Sequence, residues 1–386
     1  KNEVYSRLMH GLFADKLPPV FTMRQFLKAR PQFKGDFMNG SATLPVVYDS
    51  MRNTNELRRF GIPDPFSYER LCAFVHRHWA DFQRHFKTYT QNQTYKVSQL
   101  HIRRLKDSPV AFQMSYHHGD RDEDIIPELK LAARYQVKTD ISKFFPSIYT
   151  HALSWAWSSK ENRKANYQTN RKGFCDNDIG DQLDKLVSRL RDNETCGIPI
   201  GPHVSNLLSE MLMARIDYAL WEKEYRYVRN IDDILCFVES YEKAERFLSE
   251  LKDELGVYNP SINYAKTKIS ALPLPASELW THKIQSALVE LPEHNIERPK
   301  IVAFLDKVIN LWLEEGNGAI VSYAMKALMS RTMTESARIY YVKTMLHLAN
   351  RIPYLYPYLD ERVFEAFDVE DQDIRSVTER MLTRGF

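Results

Sequence analysis

Residues Tyr227–Phe237 read YVRNIDDILCF, and the whole chain is interpreted from them. Two adjacent aspartates, Asp232 and Asp233, lie between apolar runs. Apart from the interrupting Arg229 and Asn230, the stretch reads as two buried strands joined by a tight turn. Adjacent carboxylates repel and are costly to desolvate, so folding alone gives no reason to put them there. A divalent cation would remove that cost. The plainer reading is a polar hairpin tip, since Asn and Asp are ordinary turn formers. The neighbouring chain decides between the two.

Upstream, Gly197–Pro202 (GIPIGP) is a Gly/Pro turn. It feeds an amphipathic helix marked by Val204, Leu207, Leu208, Met211 and Leu212. Farther upstream, Gln136–Ile141 is a short apolar run carrying Asp140, followed by the aromatic pair Phe144 and Phe145. The segment 159–195 is polar and charged and reads as an insertion, with a helix over Asp181–Arg191. Downstream, Tyr241–Leu255 reads as a helix of mixed charge. Ile262–Ile269 then returns as a short strand, and a domain boundary is expected just after Leu272-Pro273-Leu274-Pro275.

The two ends differ in character. From about residue 280 the pattern is helical throughout: Ile301, Phe304, Leu305, Val308, Ile309 and Trp312 recur at helical spacing behind Pro299. Gly316-Asn317-Gly318 breaks that helix, and further helices are expected at 319–331, at 335–350 and from Leu359. Such a series suggests a helical-repeat layer. At the other end, Thr22 caps a short helix through Met23–Ala29. Residues 31–65 read as loops around one strand at Leu44–Tyr48, and 66–89 as a helix capped by Ser67. Lys87, Lys96, Arg103, Arg104 and Lys106 follow with no acidic residue among them, interleaved with Tyr89 and Tyr95. Cations for phosphates and aromatic faces for bases suit a nucleic-acid groove; a solvated basic face is the plainer alternative.

Totals narrow the classes. With 386 residues, two or three domains are expected. A composition 44% hydrophobic and 27% charged excludes global disorder. A net charge of +3 excludes wholesale coating of nucleic acid but leaves room for a basic groove. Cys72, Cys175, Cys196 and Cys236 form no CxxC pair, which argues against a zinc site and a disulfide framework and for a reducing interior. No apolar run approaches the ~20 residues of a membrane span, and no signal peptide is visible.

In order, Thr139–Ile148 (TDISKFFPSI), Gly197–Asn206 (GIPIGPHVSN), Ile231–Ile234 (IDDI) and Asn263–Lys268 (NYAKTK) resemble motifs A, B, C and D of reverse transcriptases. Leu272–Pro275 lies where motif E follows, and the likeness covers roughly residues 100–275. It implies an α+β right-hand polymerase: an N-terminal extension at 1–60, fingers at 61–136, and a palm at 137–275 with the 159–195 insertion. An all-helical C-terminal domain at 276–386 would then stand in place of the thumb.

The resemblance implies nucleotidyl transfer with two Mg2+ ions, Mn2+ being a substitute, held by Asp140, Asp232, Asp233 and the backbone carbonyl of Ile141. Lys266 matches the motif D lysine that donates a proton near the pyrophosphate, with Lys268 as fallback. Phe145 falls at the steric gate that favours deoxynucleotides. Phe144, Pro199, Ile200 and Gly201 would line the incoming dNTP, with Arg103 and Arg104 on its triphosphate. Two departures stand out: Asn230-Ile231 replaces the aromatic residue before motif C, and Ile200 takes the place of the motif B glutamine.

Gly-Ile-Pro-Ile-Gly-Pro, the Phe-Phe-Pro-Ser-Ile after Asp140, Leu17-Pro18-Pro19 and the helical tail are together similar to bacterial abortive-infection and defence-associated reverse transcriptases. That group implies a bacterial cytoplasmic enzyme that arrests phage growth. Its DNA synthesis is untemplated or protein-primed in some members, and it forms oligomers, sometimes with a noncoding RNA. A retron-type enzyme copying a dedicated RNA is the nearest alternative, and a non-catalytic RNA-binding scaffold is the alternative from another class.

Overall fold

The structure is a computed structural model that describes residues 2–13, 17, 21–29, 41–54, 56–100, 125–158, 178–275, 278–370, 372, 374–376 and 379. The chain divides into two compact units. The first comprises Lys1–Asp15, Pro19–Tyr48 and Phe60–Leu274; the second comprises Lys16–Pro18, Asp49–Arg59 and Pro275–Phe386.

The strand expected at Leu44–Tyr48 is β1, shifted to Val46–Met51, and a second strand, β2 (Leu57–Ile62), lies where loop was expected; the two form a two-stranded sheet. Their alternation is hard to recognise because Val46, Val47 and Leu57 are exposed. The single helix expected over 66–89 is two, Pro65–Arg77 and Trp79–Thr90, broken at His78. The first is capped by Asp64, whose side chain accepts from the Ser67 backbone N–H at 2.8 Å, so Ser67 is a helical residue and not the cap.

The centre of the first unit is a five-stranded sheet of β3 (Tyr135–Ser142), β4 (Arg226–Asn230), β5 (Asp233–Val238), β6 (Ser261–Ile262) and β7 (Lys268–Ala271). Its order is β4-β5-β3-β6, and β7 also pairs with β3. Every pairing is antiparallel. β3 earns its place by pattern: Val137, Thr139 and Ile141 are buried on one face while Lys138 is exposed. The run expected over Ile262–Ile269 as one strand is β6, a 3-10 turn at Tyr264–Lys266, and β7. That turn carries Lys266 out of the sheet.

Against the sheet lies the helix His203–Glu222, with Val204, Leu207, Leu208, Met211, Leu212, Ile216 and Leu220 in the core. It is buried nearly all round and not amphipathic. Ser205, Asn206, Ser209, Glu210 and Asp217 are buried in it as well. The turn before it depends on glycine. Gly197 has φ +90, and a Cβ there would stand 2.9 Å from the Pro146 carbonyl oxygen and collide with the Arg191 guanidinium.

The second unit has its own core, built on the helices Leu279–Val289, Arg298–Glu315, Ala319–Leu328 and Glu335–Arg351. Ile301, Phe304, Leu305 and Val308 are buried at the helical spacing read in the sequence, and Gly316 ends their helix in a left-handed conformation (φ 64). Among the described residues, no helix is long and apolar enough to cross a membrane.

Candidate active site

Strand β3 gathers the pieces that lie far apart in sequence. Its register with β5 sets Asp140 directly opposite Asp233. Directly opposed residues of an antiparallel pair project to the same face, where like charges repel. At the end of that ladder the Ile141 N–H donates to the Asp232 carbonyl at 3.2 Å. One hydrogen-bonded corner therefore carries all three aspartates on adjoining backbone. Asp140 is buried (7% exposed), Asp232 is half-buried and Asp233 is exposed.

The glycine turn is tied to the segment that follows β3 beyond Asp140. Tyr149 bridges to Cys196, the Gly197 N–H donates to the Ile148 carbonyl at 2.8 Å, and the Ile198 N–H donates to the Phe145 carbonyl at 2.9 Å. Gly201, at φ 122, then leads into the buried helix. Pro199 is buried and Ile200 half-buried, its carbonyl accepting from the Gly61 N–H at 3.1 Å. Of the aromatic pair, Phe144 is 2% exposed and belongs to the core, while Phe145 is half-buried and keeps a solvent-facing part. A ring as buried as Phe144 has no face left for a nucleotide.

The segment after β6 closes on Asp140. The Asn263 N–H donates to the Asp140 carbonyl at 2.8 Å, and its side-chain amide approaches Asp140 Oδ2 at 3.4 Å. Lys266 Nζ pairs with the same Oδ2 at 2.5 Å, although its side chain is 59% exposed. Thr267 Oγ1 donates to the Asn263 carbonyl at 2.8 Å and meets Thr139 Oγ1 at 2.7 Å, which fixes the turn on β3. Lys268 is exposed and pairs in register with Lys138, two residues before Asp140 on β3.

Lys87 and Lys96 are exposed, and Lys96 Nζ donates to the Leu100 carbonyl at 2.8 Å. Arg103, Arg104 and Lys106 lie outside the described residues, as does most of the 159–195 segment.

Among the described residues, no three His, Cys, Asp or Glu side chains converge into a metal cage. The donors still suit magnesium, which takes one or two carboxylates and completes its shell with water and substrate phosphates. Asp140, Asp232 and Asp233 are hard oxygen donors, and Asp140 already attracts one cation, Lys266.

Sequence reading passed over Arg229 as an interruption. It is 1% exposed and lies behind the aspartate turn with Glu210 and Asp217. Its Nε donates to Asp217 at 3.1 and 3.2 Å, and Nη2 donates to Asp217 Oδ2 at 2.6 Å and Glu210 Oε1 at 3.0 Å. Nη1 donates to Glu210 Oε2 at 3.1 Å and to the Ile231 carbonyl at 2.9 Å. All five guanidinium hydrogens are thereby used. Tyr227 Oη adds a bond to Asp217 Oδ1 at 2.8 Å. Burial raises the Asp217 carboxyl and by itself would lower the guanidinium, but the charges of Asp217 and Glu210 carry Arg229 well above its ordinary value. A signal was present: an arginine in a buried strand, and two acids seven apart in an otherwise apolar helix, hence on one face.

Ile231 itself has φ 55. A β-branched residue in the left-handed region is an outlier, costing on the order of 1–3 kcal/mol.

The family model described as reverse transcriptase (RNA-dependent DNA polymerase) matches residues 78–305, more than half of the chain. No curated protein matches in sequence. Among solved structures, apo telomerase from Candida tropicalis aligns at 10% identity and TM-score 0.41, covering 95% of this chain and 73% of that one. Telomerase from Candida albicans, in complex with a TWJ fragment of telomeric RNA, aligns at 9% identity and TM-score 0.35, covering 92% and 66%. TM-scores this low give the likeness no weight.

Proposed function

The chain belongs to the reverse transcriptase family, and from that premise we propose that Asp140, Asp232 and Asp233 form its catalytic centre and that it makes DNA for antiphage defence. The family is one of RNA-directed DNA polymerases, nucleotidyltransferases that generally use divalent metal ions such as Mg2+. The observation that carries the reading is the sheet corner: Asp140 opposite Asp233, with Asp232 bonded through its carbonyl to the Ile141 N–H.

Each residue then has a task. Asp140 and Asp232 would hold the metal, Asp233 would support it from the exposed side, and the Ile141 carbonyl would add a ligand. Two bound divalent ions supply the charge that activates a hydroxyl nucleophile and stabilises the departing pyrophosphate. Lys266, already drawn to Asp140, would give a proton to that pyrophosphate. Phe145 would crowd a 2′-hydroxyl. The turn at Pro199–Gly201 would border the base pair or the nucleotide, and Ile200 offers no side-chain hydrogen bond there. Lys87 and Lys96, with Arg103, Arg104 and Lys106, would follow the nucleic-acid backbone.

Assignment to the bacterial defence group rests on the motif sequences and on the helical second unit, which would replace a thumb. Untemplated or protein-primed synthesis, oligomers, a noncoding RNA partner and a cytoplasmic site of action go with that assignment.

The decisive measurement is incorporation of labelled deoxynucleotides with Mg2+ by wild type and by Asp232→Ala. We expect loss of at least ~10³-fold, the scale of removing a main electrostatic element of catalysis, with the fold retained. Equal incorporation would reject the enzyme reading and favour a scaffold. For the defence role, phage challenge of bacteria expressing each form should show protection by wild type alone.

A further inference from the structure

The Arg229 cluster reaches further than packing. Its guanidinium spans two things: the carboxylates of Glu210 and Asp217 on the buried helix, and the Ile231 carbonyl in the turn. Ile231 is the residue immediately before Asp232, and its backbone is in the left-handed region. The two-residue turn Ile231-Asp232 closes the hairpin, whose last paired residues are Asn230 and Asp233. A carbonyl held in that turn fixes the peptide plane that leads into Asp232.

Arg229 is in turn fixed from its other side. Its N–H donates to the Val97 carbonyl at 2.9 Å, and its carbonyl accepts from the Gln99 N–H at 2.7 Å. Backbone and side chain are both held, so the clamp does not swing. Four of the five N–H groups bond the two acids; the fifth is spent on the turn.

We propose that Arg229 is a positioning residue: through the Ile231 carbonyl it holds the strained turn that aims the Asp232 carboxylate at Asp140. The inference rests on the catalytic reading of Asp232. Glu210 and Asp217, both buried, are its counter-anchors. Lysine cannot replace Arg229, because an ammonium is a single point with three donors and cannot meet two carboxylates and a carbonyl as a flat fork does.

The test separates aim from stability. Arg229→Lys alone leaves two buried carboxylates poorly paired and endangers the fold. The second variant therefore leaves no charge in the cluster: Arg229→Met with Glu210→Gln and Asp217→Asn. Folding is checked by thermal unfolding, Mn2+ binding by the free-ion electron resonance signal of the nucleotide-free protein, and synthesis by its Mg2+ dependence. In the folded variants the half-saturating metal concentration should rise about 10-fold or more, the range seen when partners behind metal ligands are lost. Adding Ile231→Gly, which tolerates the left-handed turn without a clamp, should recover part of that loss. A folded variant with wild-type half-saturation and only a smaller active fraction would overturn the proposal, as would an Ile231→Gly that only deepens the loss. Failure of the catalytic reading shows separately, as an Asp232→Ala that still synthesises DNA.

Discussion

The two sides of the β4–β5 hairpin treat charge in opposite ways. Behind it, Arg229 is sealed from water and every one of its donors is used by Glu210, Asp217 or Ile231. In front, Asp140 is met by Lys266, whose side chain is more than half exposed. A buried pair gains little net stability but is expensive to break, because the survivor is left as an uncompensated charge. The front pair has its lysine end in water, so the ammonium can exchange with other cations although Asp140 itself is buried. The back of the hairpin is thus built to stay, and the front is built to exchange its partner.

The largest effects should fall on opposite observables. Arg229→Met should lower stability by about 3–5 kcal/mol, because it leaves the buried Glu210 and Asp217 carboxylates without a counter-charge. Asp140→Asn should unfold near the wild-type midpoint yet lose synthesis by about 10³-fold or more. Thermal unfolding and deoxynucleotide incorporation, run on both variants, check this. If Asp140→Asn proves the less stable protein, the division between front and back is wrong.

The front was legible in the sequence because its chemistry is carried by residue types in order. Asp140, Gly201, Asp232-Asp233 and Lys266 need only be spaced correctly along the chain to be read. β3 brings the aspartates and the segment carrying Lys266 together by ordinary strand pairing, which its alternation encodes. The back was not legible, because a buried ion cluster is a fact about three side chains from two elements. Arg229 in an apolar strand looked like a flaw until Glu210 and Asp217 were seen on the facing helix. For the same reason that helix read as amphipathic: its polar residues were assigned to solvent, and they are buried. Of the first two strands, β1 overlaps the strand expected at Leu44–Tyr48, whereas β2 has no such signal: Leu57 is exposed, Arg58 and Arg59 follow it, and only Phe60 and Ile62 are buried. Lys266 was identified by type, but its place in a 3-10 turn and not a strand is set by Asn263 and Thr267, whose bonds no pattern displays.

A smaller effect should follow at Lys266. Lys266→Ala should slow incorporation by about 10²-fold, as expected for a lost general acid, with no change in unfolding. Because the lysine now sits on Asp140, its removal should also tighten divalent-ion binding to the nucleotide-free protein. Mn2+ titration reads the second effect independently of synthesis. A slower enzyme with unchanged metal affinity would mean that Lys266 does not occupy the carboxylate in solution.

The smallest effect repeats the same division between two neighbouring rings. Phe144 is in the core and Phe145 is half-buried at the entrance of a short helix, Phe144–Ser147. Phe144→Ala should cost about 3–5 kcal/mol of stability, as for any large ring removed from a packed interior, and leave the choice of sugar alone. Phe145→Ala should cost less stability and change that choice, admitting ribonucleotides about 10-fold more readily, the scale at which a pocket rejects one extra group by shape. Competition between deoxynucleotides and ribonucleotides in a single reaction measures the ratio directly. Unchanged discrimination in Phe145→Ala would make both rings part of the fold, and sugar selection would then have to come from backbone that the Gly201 turn brings to the site.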